Sequence, residues 1–171
     1  MKKKIATIVK IIVGSLTVLI MLYSITLIIL SMCFGFSRVV GQSMYPTFKG
    51  DNKEYVLSSA KKEPKLGDVV VIKYDGGKLI KRVIACPGDV ISLKDGFIYV
   101  NDKPCPYHTE KLNREYEYLN KTGYLVEEGK YFCVGDNITN SLDSKQNGTF
   151  SRDKMRVVTK AIRFPFKLLF Y

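Results

Sequence analysis

From Ile11 to Phe36 the chain carries no charged residue, and Ile, Leu, Val and Met dominate the run. As a helix it would extend roughly 39 Å at about 1.5 Å per residue, longer than the ~30 Å hydrocarbon core of a bilayer. A helix that is apolar on every side has no face to offer water, so the run predicts a membrane span. Lys2, Lys3, Lys4 and Lys10 precede it, and Arg38 alone follows closely. The positive-inside rule then predicts a basic cytoplasmic N-terminus over residues 1–10, a single transmembrane helix over 11–36 and an extracytoplasmic domain over 38–171. A cleaved secretory signal would have an apolar region of about 7 to 15 residues and a small-x-small cleavage site. Here the run is longer and ends in Met32-Cys33-Phe34-Gly35-Phe36, and no small residue precedes Cys33 as a lipoprotein signal requires. An uncleaved anchor in the cell membrane is the expectation.

Everything acidic lies beyond that run. The chain has 27 Lys and Arg against 16 Asp and Glu, a formal charge of +11. A basic domain can lie against anionic headgroups or bind nucleic acid. Outside the membrane the lipid bilayer is the expected partner and nucleic acid is not; a basic surface that serves only solubility is the alternative. One His and no C-x-x-C spacing give metal chemistry little to stand on, so neither metal nor cofactor is expected. Cys33 lies in or near the span, while Cys86, Cys105 and Cys133 form an odd set whose pairing is not readable from sequence.

The domain reads as mainly β. Asp68–Tyr74 is a β-branched run; Val90–Leu93 and Phe97–Val100 flank Lys94-Asp95-Gly96, where Asp-Gly suits a tight hairpin. Lys130–Val134 and Met155–Arg163 alternate enough to be strands. Residues 104–128, rich in Tyr, Glu, Lys and Asn, show no clean period and read as a loop or variable hairpin. The fold class is therefore an antiparallel β domain on one N-terminal transmembrane helix.

Just past the span comes Gly41-Gln42-Ser43-Met44-Tyr45-Pro46-Thr47, in which a serine between a glycine and a proline turn can present its hydroxyl. The same residues also mark any ordinary turn. A nucleophilic serine needs a base. The one histidine, His108, lies in the unpatterned stretch and is expected to be a solvent-exposed loop residue. Lys81 is the other candidate: on a strand it shares a face with Leu79 and Val83, an apolar setting that disfavours the ammonium form. From an ordinary pKa of ~10.4, neutralising a lysine at pH 7 costs about 4.6 kcal/mol, which only a water-poor pocket can supply. A lysine whose stem covers the core while its head reaches water is the alternative.

Several segments together resemble type I signal peptidases, also called leader peptidases. After the anchor come Ser43-Met-Tyr-Pro-Thr47, Gly67-Asp-Val-Val-Val71, Lys81-Arg-Val-Ile-Ala-Cys-Pro-Gly-Asp89 and Gly135-Asp-Asn-Ile-Thr-Asn-Ser-Leu-Asp-Ser-Lys145, four family blocks in the family's order. The resemblance implies a membrane-bound serine endopeptidase that removes signal peptides from exported pre-proteins after small residues. It implies Ser43 as nucleophile and Lys81 as general base, working through an acyl-enzyme. It further implies that Ser141 bonds the lysine amine, that Asp143 bridges basic groups including Arg82, and that Asp136 holds the turn of the last block. Surface ion pairs are the plainer reading of Arg82, Asp136 and Asp143. Lysine at position 81 fits the bacterial type, since endoplasmic reticulum enzymes carry histidine there. The short connection from Lys81 to Gly135 resembles the compact Gram-positive form.

Three departures stand out. Gly41 occupies a position where the family often has a hydroxyl residue that completes the oxyanion hole, so a second donor is not identified. Lys145 replaces an arginine, which removes a planar bidentate partner for Asp143. Ile138 stands where arginine is common. By position, Val39, Met44 and Ile80 would wall the shallow pockets for small substrate side chains, or else simply pack the core. The substrate would add as a strand beside the Lys81 segment. The tail, Arg163 to Tyr171, mixes aromatics with cations and suits either a membrane interface or a terminal core strand. Two other functions stay open: a self-cleaving regulator of the SOS-repressor type, which shares a Gly-x-Ser-Met start and a Ser-Lys pair, and a non-enzymatic, membrane-tethered basic binding module.

Overall fold

The structure, a computed structural model, describes residues 2–112, 116, 118–119, 122–137, 140–165 and 167–169. It divides into two units, Met1–Phe34 and Gly35–Tyr171. In the first, helix α1 spans Lys2–Cys33 and is long and apolar enough to cross a membrane. Its serine and threonine hydroxyls are satisfied internally: Thr7, Ser15, Thr17, Ser24, Thr26 and Ser31 each donate to a backbone carbonyl three or four residues earlier. That arrangement removes the desolvation penalty these groups would otherwise meet in hydrocarbon. The helix ends at Cys33, so the last apolar residues of the uncharged run, Phe34 to Phe36, belong to a strand.

The second unit is built on antiparallel β structure. Its strands are β1 (Phe34–Val40), β2 (Asp51–Ser59), β3 (Val69–Tyr74), β4 (Gly77–Ala85), β5 (Val90–Lys94), β6 (Phe97–Val100), β7 (Lys103–Pro104), β8 (Tyr124–Leu125), β9 (Lys130–Val134), β10 (Phe150–Ser151), β11 (Met155–Arg163) and β12 (Lys167–Leu169). One short helix, α2 (Ser144–Asn147), precedes β10. The larger sheet runs β1-β2-β11-β3-β4-β9-β10, with β12 beside β11; the smaller runs β7-β6-β5-β8. Asp95 and Gly96 take φ of 53° and 86°, the positive values that a tight β5–β6 hairpin needs.

Three apolar clusters fill the unit, and two of them hold the site. Val39, Met44, Phe48, Val56, Val69 and Val71 pack on one side of the larger sheet. Val70, Ile72, Val83, Cys133 and Met155 form a second cluster. The third lies under the smaller sheet and draws Cys105, Leu112, Leu119 and Val126 from the stretch expected to be a loop or variable hairpin. Those four stand seven residues apart, too sparse for a strand or helix period, yet each is almost fully buried and tacks the stretch to the core. At the chain's end, β12 pairs with β11 in register Ala161↔Leu169, so the tail supplies a strand. Residues 166, 170 and 171 lie outside the described set.

Candidate active site

Ser43 sits on the turn that follows β1. The turn is closed by Tyr45 N–H donating to the Gln42 carbonyl (3.0 Å) and Phe48 N–H to the Met44 carbonyl (2.8 Å). Met44 and Phe48 are anchored in the core, which leaves Ser43 half-buried between two fixed points. At the foot of the turn Gly50 lies so close to Gly41 that a Cβ there would stand 1.8 Å from the Gly41 carbonyl oxygen. Gly50 N–H donates to Glu54 (3.0 Å), itself 2% exposed and bonded to Arg163 (2.8 Å), which also pairs with Asp51.

Lys81 comes from β4, where register pairs it with Val70 of β3. It is 2% exposed, and its Nζ lies 2.8 Å from Ser43 Oγ. Burial pulls the amine down from 10.5 to about 8; the charge of Lys145 pushes the same way, while Asp143 and Asp136 oppose it. At pH 7 such a shift raises the neutral fraction from about one in 3,000 to about one in ten. A hydroxyl held against an amine that readily loses its proton can pass that amine a proton.

Two ion pairs flank this contact, and they differ from the expected pairing. Arg82 grips Asp136 with Nε and a terminal nitrogen (2.8 and 2.7 Å), and reaches the Gly67 carbonyl (2.8 Å) and Thr47 Oγ1 (3.2 Å). Thr47 in turn donates to Asp136 (2.5 Å). Asp136 therefore does more than hold a turn: it ties β4 to the serine turn through Arg82 and Thr47. Asp143 does not meet Arg82. It caps α2, accepts from Gly135 N–H (3.1 Å), and pairs with Lys145 Nζ at 2.7 Å, both side chains 0% exposed. The substituted lysine thus keeps the charge and gives up the second prong. Ser141 Oγ is buried and makes no hydrogen bond among the described residues, so the expected bond to the Lys81 amine is not formed. Ile138 lies outside the described residues.

Two tyrosine rings lie against the cations of these pairs. Tyr107 stacks over the Arg82 guanidinium (5.3 Å to the ring centroid) and Tyr116 over Lys145 Nζ (5.6 Å). His108 is buried, 4% exposed, and not the solvent-facing residue expected. Its neighbours Cys105 and Leu112 are pulled into the core and carry it inward. Burial first, and then the charge of Lys145, lower its pKa to about 4, so the imidazole is neutral at working pH. Tyr107 and Tyr116 escaped the sequence reading because stacking on a cation leaves no periodic trace. Gly135 was read only as the first residue of a family block, and its close packing was not; a Cβ there would lie 2.3 Å from both the Ser43 carbonyl oxygen and Ser141 Oγ. Among the described residues no group of three His, Cys, Asp or Glu is placed to hold a metal ion.

A groove of about 390 Å³ leads to the contact, lined by the stretch Phe36 to Gly41, Ser43 and Met44 on one wall and Lys78 to Lys81 on the other. Val39 and Met44 are core residues whose outer surface lines the groove, and Ile80 packs against the same cluster. Packing and wall are therefore one role here. Gly41 has open space where a side chain would project. The first half of β4 pairs with β3, whereas β9 takes up only Arg82 to Ala85, so among the described residues no strand pairs with the other edge of Lys78–Lys81.

An antiparallel β unit with a serine hydroxyl set against a buried amine is the framework of a serine peptidase. The family model described as signal peptidase, peptidase S26, matches residues 9–164, and the chain belongs to that family. Signal peptidase I T of Bacillus subtilis (strain 168) is 36% identical over 141 residues, spanning 75% of this chain and 72% of that protein. Signal peptidase I S of the same organism is 31% identical over 153 residues, 83% of each chain. Signal peptidase I of Bacillus amyloliquefaciens is 32% identical over 160 residues, 86% and 83%. A crystal structure of a signal peptidase I from Enterococcus faecalis V583 aligns with a TM-score of 0.47 and 24% identity, covering 57% of this chain and 97% of that one.

Proposed function

We propose that this peptidase removes signal peptides from exported pre-proteins after small residues, with Ser43 as nucleophile and Lys81 as general base. The observation that carries the mechanism is the 2.8 Å contact between Ser43 Oγ and a lysine amine that is 2% exposed. In the neutral amine the contact reverses direction, and Ser43 O–H donates to the nitrogen lone pair. Oγ then attacks the scissile carbonyl as its proton passes to Lys81. The tetrahedral oxyanion is met by the Ser43 backbone N–H, with Gly41 contributing no hydroxyl. Lys81 returns the proton to the leaving amine, the acyl-enzyme forms, and the amine next takes a proton from the water that releases the signal peptide.

The pre-protein lies as an added strand on the unpaired edge of Lys78–Lys81, so backbone bonds provide affinity that does not depend on sequence. Val39, Met44 and Ile80 keep the pockets shallow and admit only small side chains. Helix α1 anchors the enzyme in the cell membrane by one pass, with the lysine-rich end in the cytoplasm and the β unit outside. The test is cleavage of a pre-protein in membranes, together with the mass gained from a penem or lipopeptide serine acylator. Ser43→Ala and Lys81→Ala each lower cleavage by at least about a thousandfold and abolish the adduct. For the native enzyme kcat/KM rises with pH to a plateau whose midpoint is near 8, because the neutral amine is the active form. An adduct that persists in Lys81→Ala would exclude Lys81 as the base.

A further inference from the structure

The groove leading to Ser43 has a charge pattern that catalysis does not use. Three residues before Lys81 on β4 stands Lys78, about 10 Å away along the strand. Its Nζ donates to Ser37 Oγ across the groove (3.2 Å), bridging the two walls. Arg38 lines the same end from β1 and is exposed. No carboxylate lines the groove, and neither Arg38 nor Lys78 belongs to an ion pair among the described residues. Lys78 also lines a neighbouring concavity at the β3–β4 turn together with Lys73 and Lys154, where Asp75 is the one acid. The far end of the groove is therefore a run of cations continued beyond it.

We propose that this enzyme favours pre-proteins bearing an acidic side chain about four to six residues before the cleavage point, held by Lys78 and Arg38. The proposal rests on the signal-peptidase reading and narrows its substrate class. A strand whose scissile carbonyl sits at Ser43 covers one groove residue about every 3.3 Å, so its fourth residue back reaches Lys78. The flexible lysine and arginine stems extend the reach by a residue or two. A substrate carboxylate displaces the Ser37 hydroxyl from Lys78 and exchanges an ammonium–hydroxyl hydrogen bond for an ammonium–carboxylate ion pair. A lysine at the same place meets two like charges and no counter-ion.

The test uses the full-length enzyme in phosphatidylcholine vesicles, and in parallel in vesicles containing phosphatidylglycerol, with one reporter pre-protein carrying Asp, Asn or Lys at the fifth position before the cut. The Asp reporter has a kcat/KM about three- to tenfold above that of the Lys reporter, with Asn between, as expected for one or two exposed ion pairs. Raising salt to about 1 M flattens the ranking. Arg38→Glu combined with Lys78→Glu reverses it; because the ranking is a ratio within one preparation, the folded fraction cancels. Equal rates for the three reporters, with cleavage still dependent on Ser43, would falsify the charge preference and leave the proteolytic reading intact. No cleavage of any reporter overturns both. A charge reversal that changes only binding to phosphatidylglycerol vesicles, and not the ranking, assigns these cations to headgroups and overturns the proposal.

Discussion

Lys81 holds a charge that the fold would be better without. With a pKa of about 8 in the native chain against 10.5 unfolded, the unfolded state binds the proton more tightly between those values. Stability therefore rises with pH across that window, and at pH 7 the buried ammonium costs on the order of 3 kcal/mol. Lys81→Met, which fills similar space without charge, is expected to raise unfolding free energy at pH 7 by about 2–3 kcal/mol while abolishing cleavage. Denaturant melts of the detergent-solubilised chain at pH 7 and pH 10.5 check it, since the gain must shrink toward zero at the higher pH. A variant less stable than the native chain at pH 7 would show that the amine's contact with Ser43 outweighs its burial. Whether the Lys81 head group reaches water is settled only by its 2% exposure; its apolar setting was legible in the sequence, because Leu79, Lys81 and Val83 alternate on one strand face. His108 was not: its burial depends on Cys105 and Leu112 docking in the core, and neither lies at a spacing that marks a strand or helix.

Between elements, the critical approach is that of the end of β9 to the serine turn. Asn137 N–H donates to the Ser43 carbonyl (3.0 Å), and Gly135 passes where no side chain fits. Gly135→Ala pushes against the Ser43 carbonyl on one side and Ser141 on the other, and neither Ser43's backbone nor a buried hydroxyl gives way cheaply. The expected result is a loss of about 1–3 kcal/mol in stability and at least about a hundredfold in kcat, read by denaturant melts and pre-protein cleavage. Unchanged turnover would mean that the turn tolerates displacement. The ion pairs that brace the same region show what sequence blocks leave out. Register sets Arg82 opposite Val134, so Asp136, two residues further on the same side, is the carboxylate its guanidinium meets. Asp143 instead caps α2: Gln146, three residues on, completes the capping box, and the same carboxylate accepts from Lys145 N–H (3.0 Å) and Nζ (2.7 Å). Block order identifies these residues as a set, but their partners follow from strand register and cap geometry.

At the scale of the molecule, the β unit has its own three apolar clusters, and α1 has its own hydrogen-bond balance, so each can be stable on its own account. The division between an apolar helix and the remainder was readable from charge alone, and the mainly β character of that remainder from its β-branched and alternating runs. The extent of the β unit was less so, because the short strands β7, β8, β10 and β12 are too brief to carry a period and exist only through their partners. If α1 serves to hold enzyme and membrane-inserted substrate in one plane, its contribution is effective concentration rather than chemistry. A chain lacking residues 2–33 should then react with a soluble serine acylator at the native rate, within about twofold. Its cleavage of pre-proteins in membranes should fall by about a hundredfold or more, the range set by loss of tethering. A soluble peptide spanning the cut site should be processed equally by both chains. Acylation lost in step with membrane cleavage would place the fault in folding of the β unit and reject a purely tethering helix.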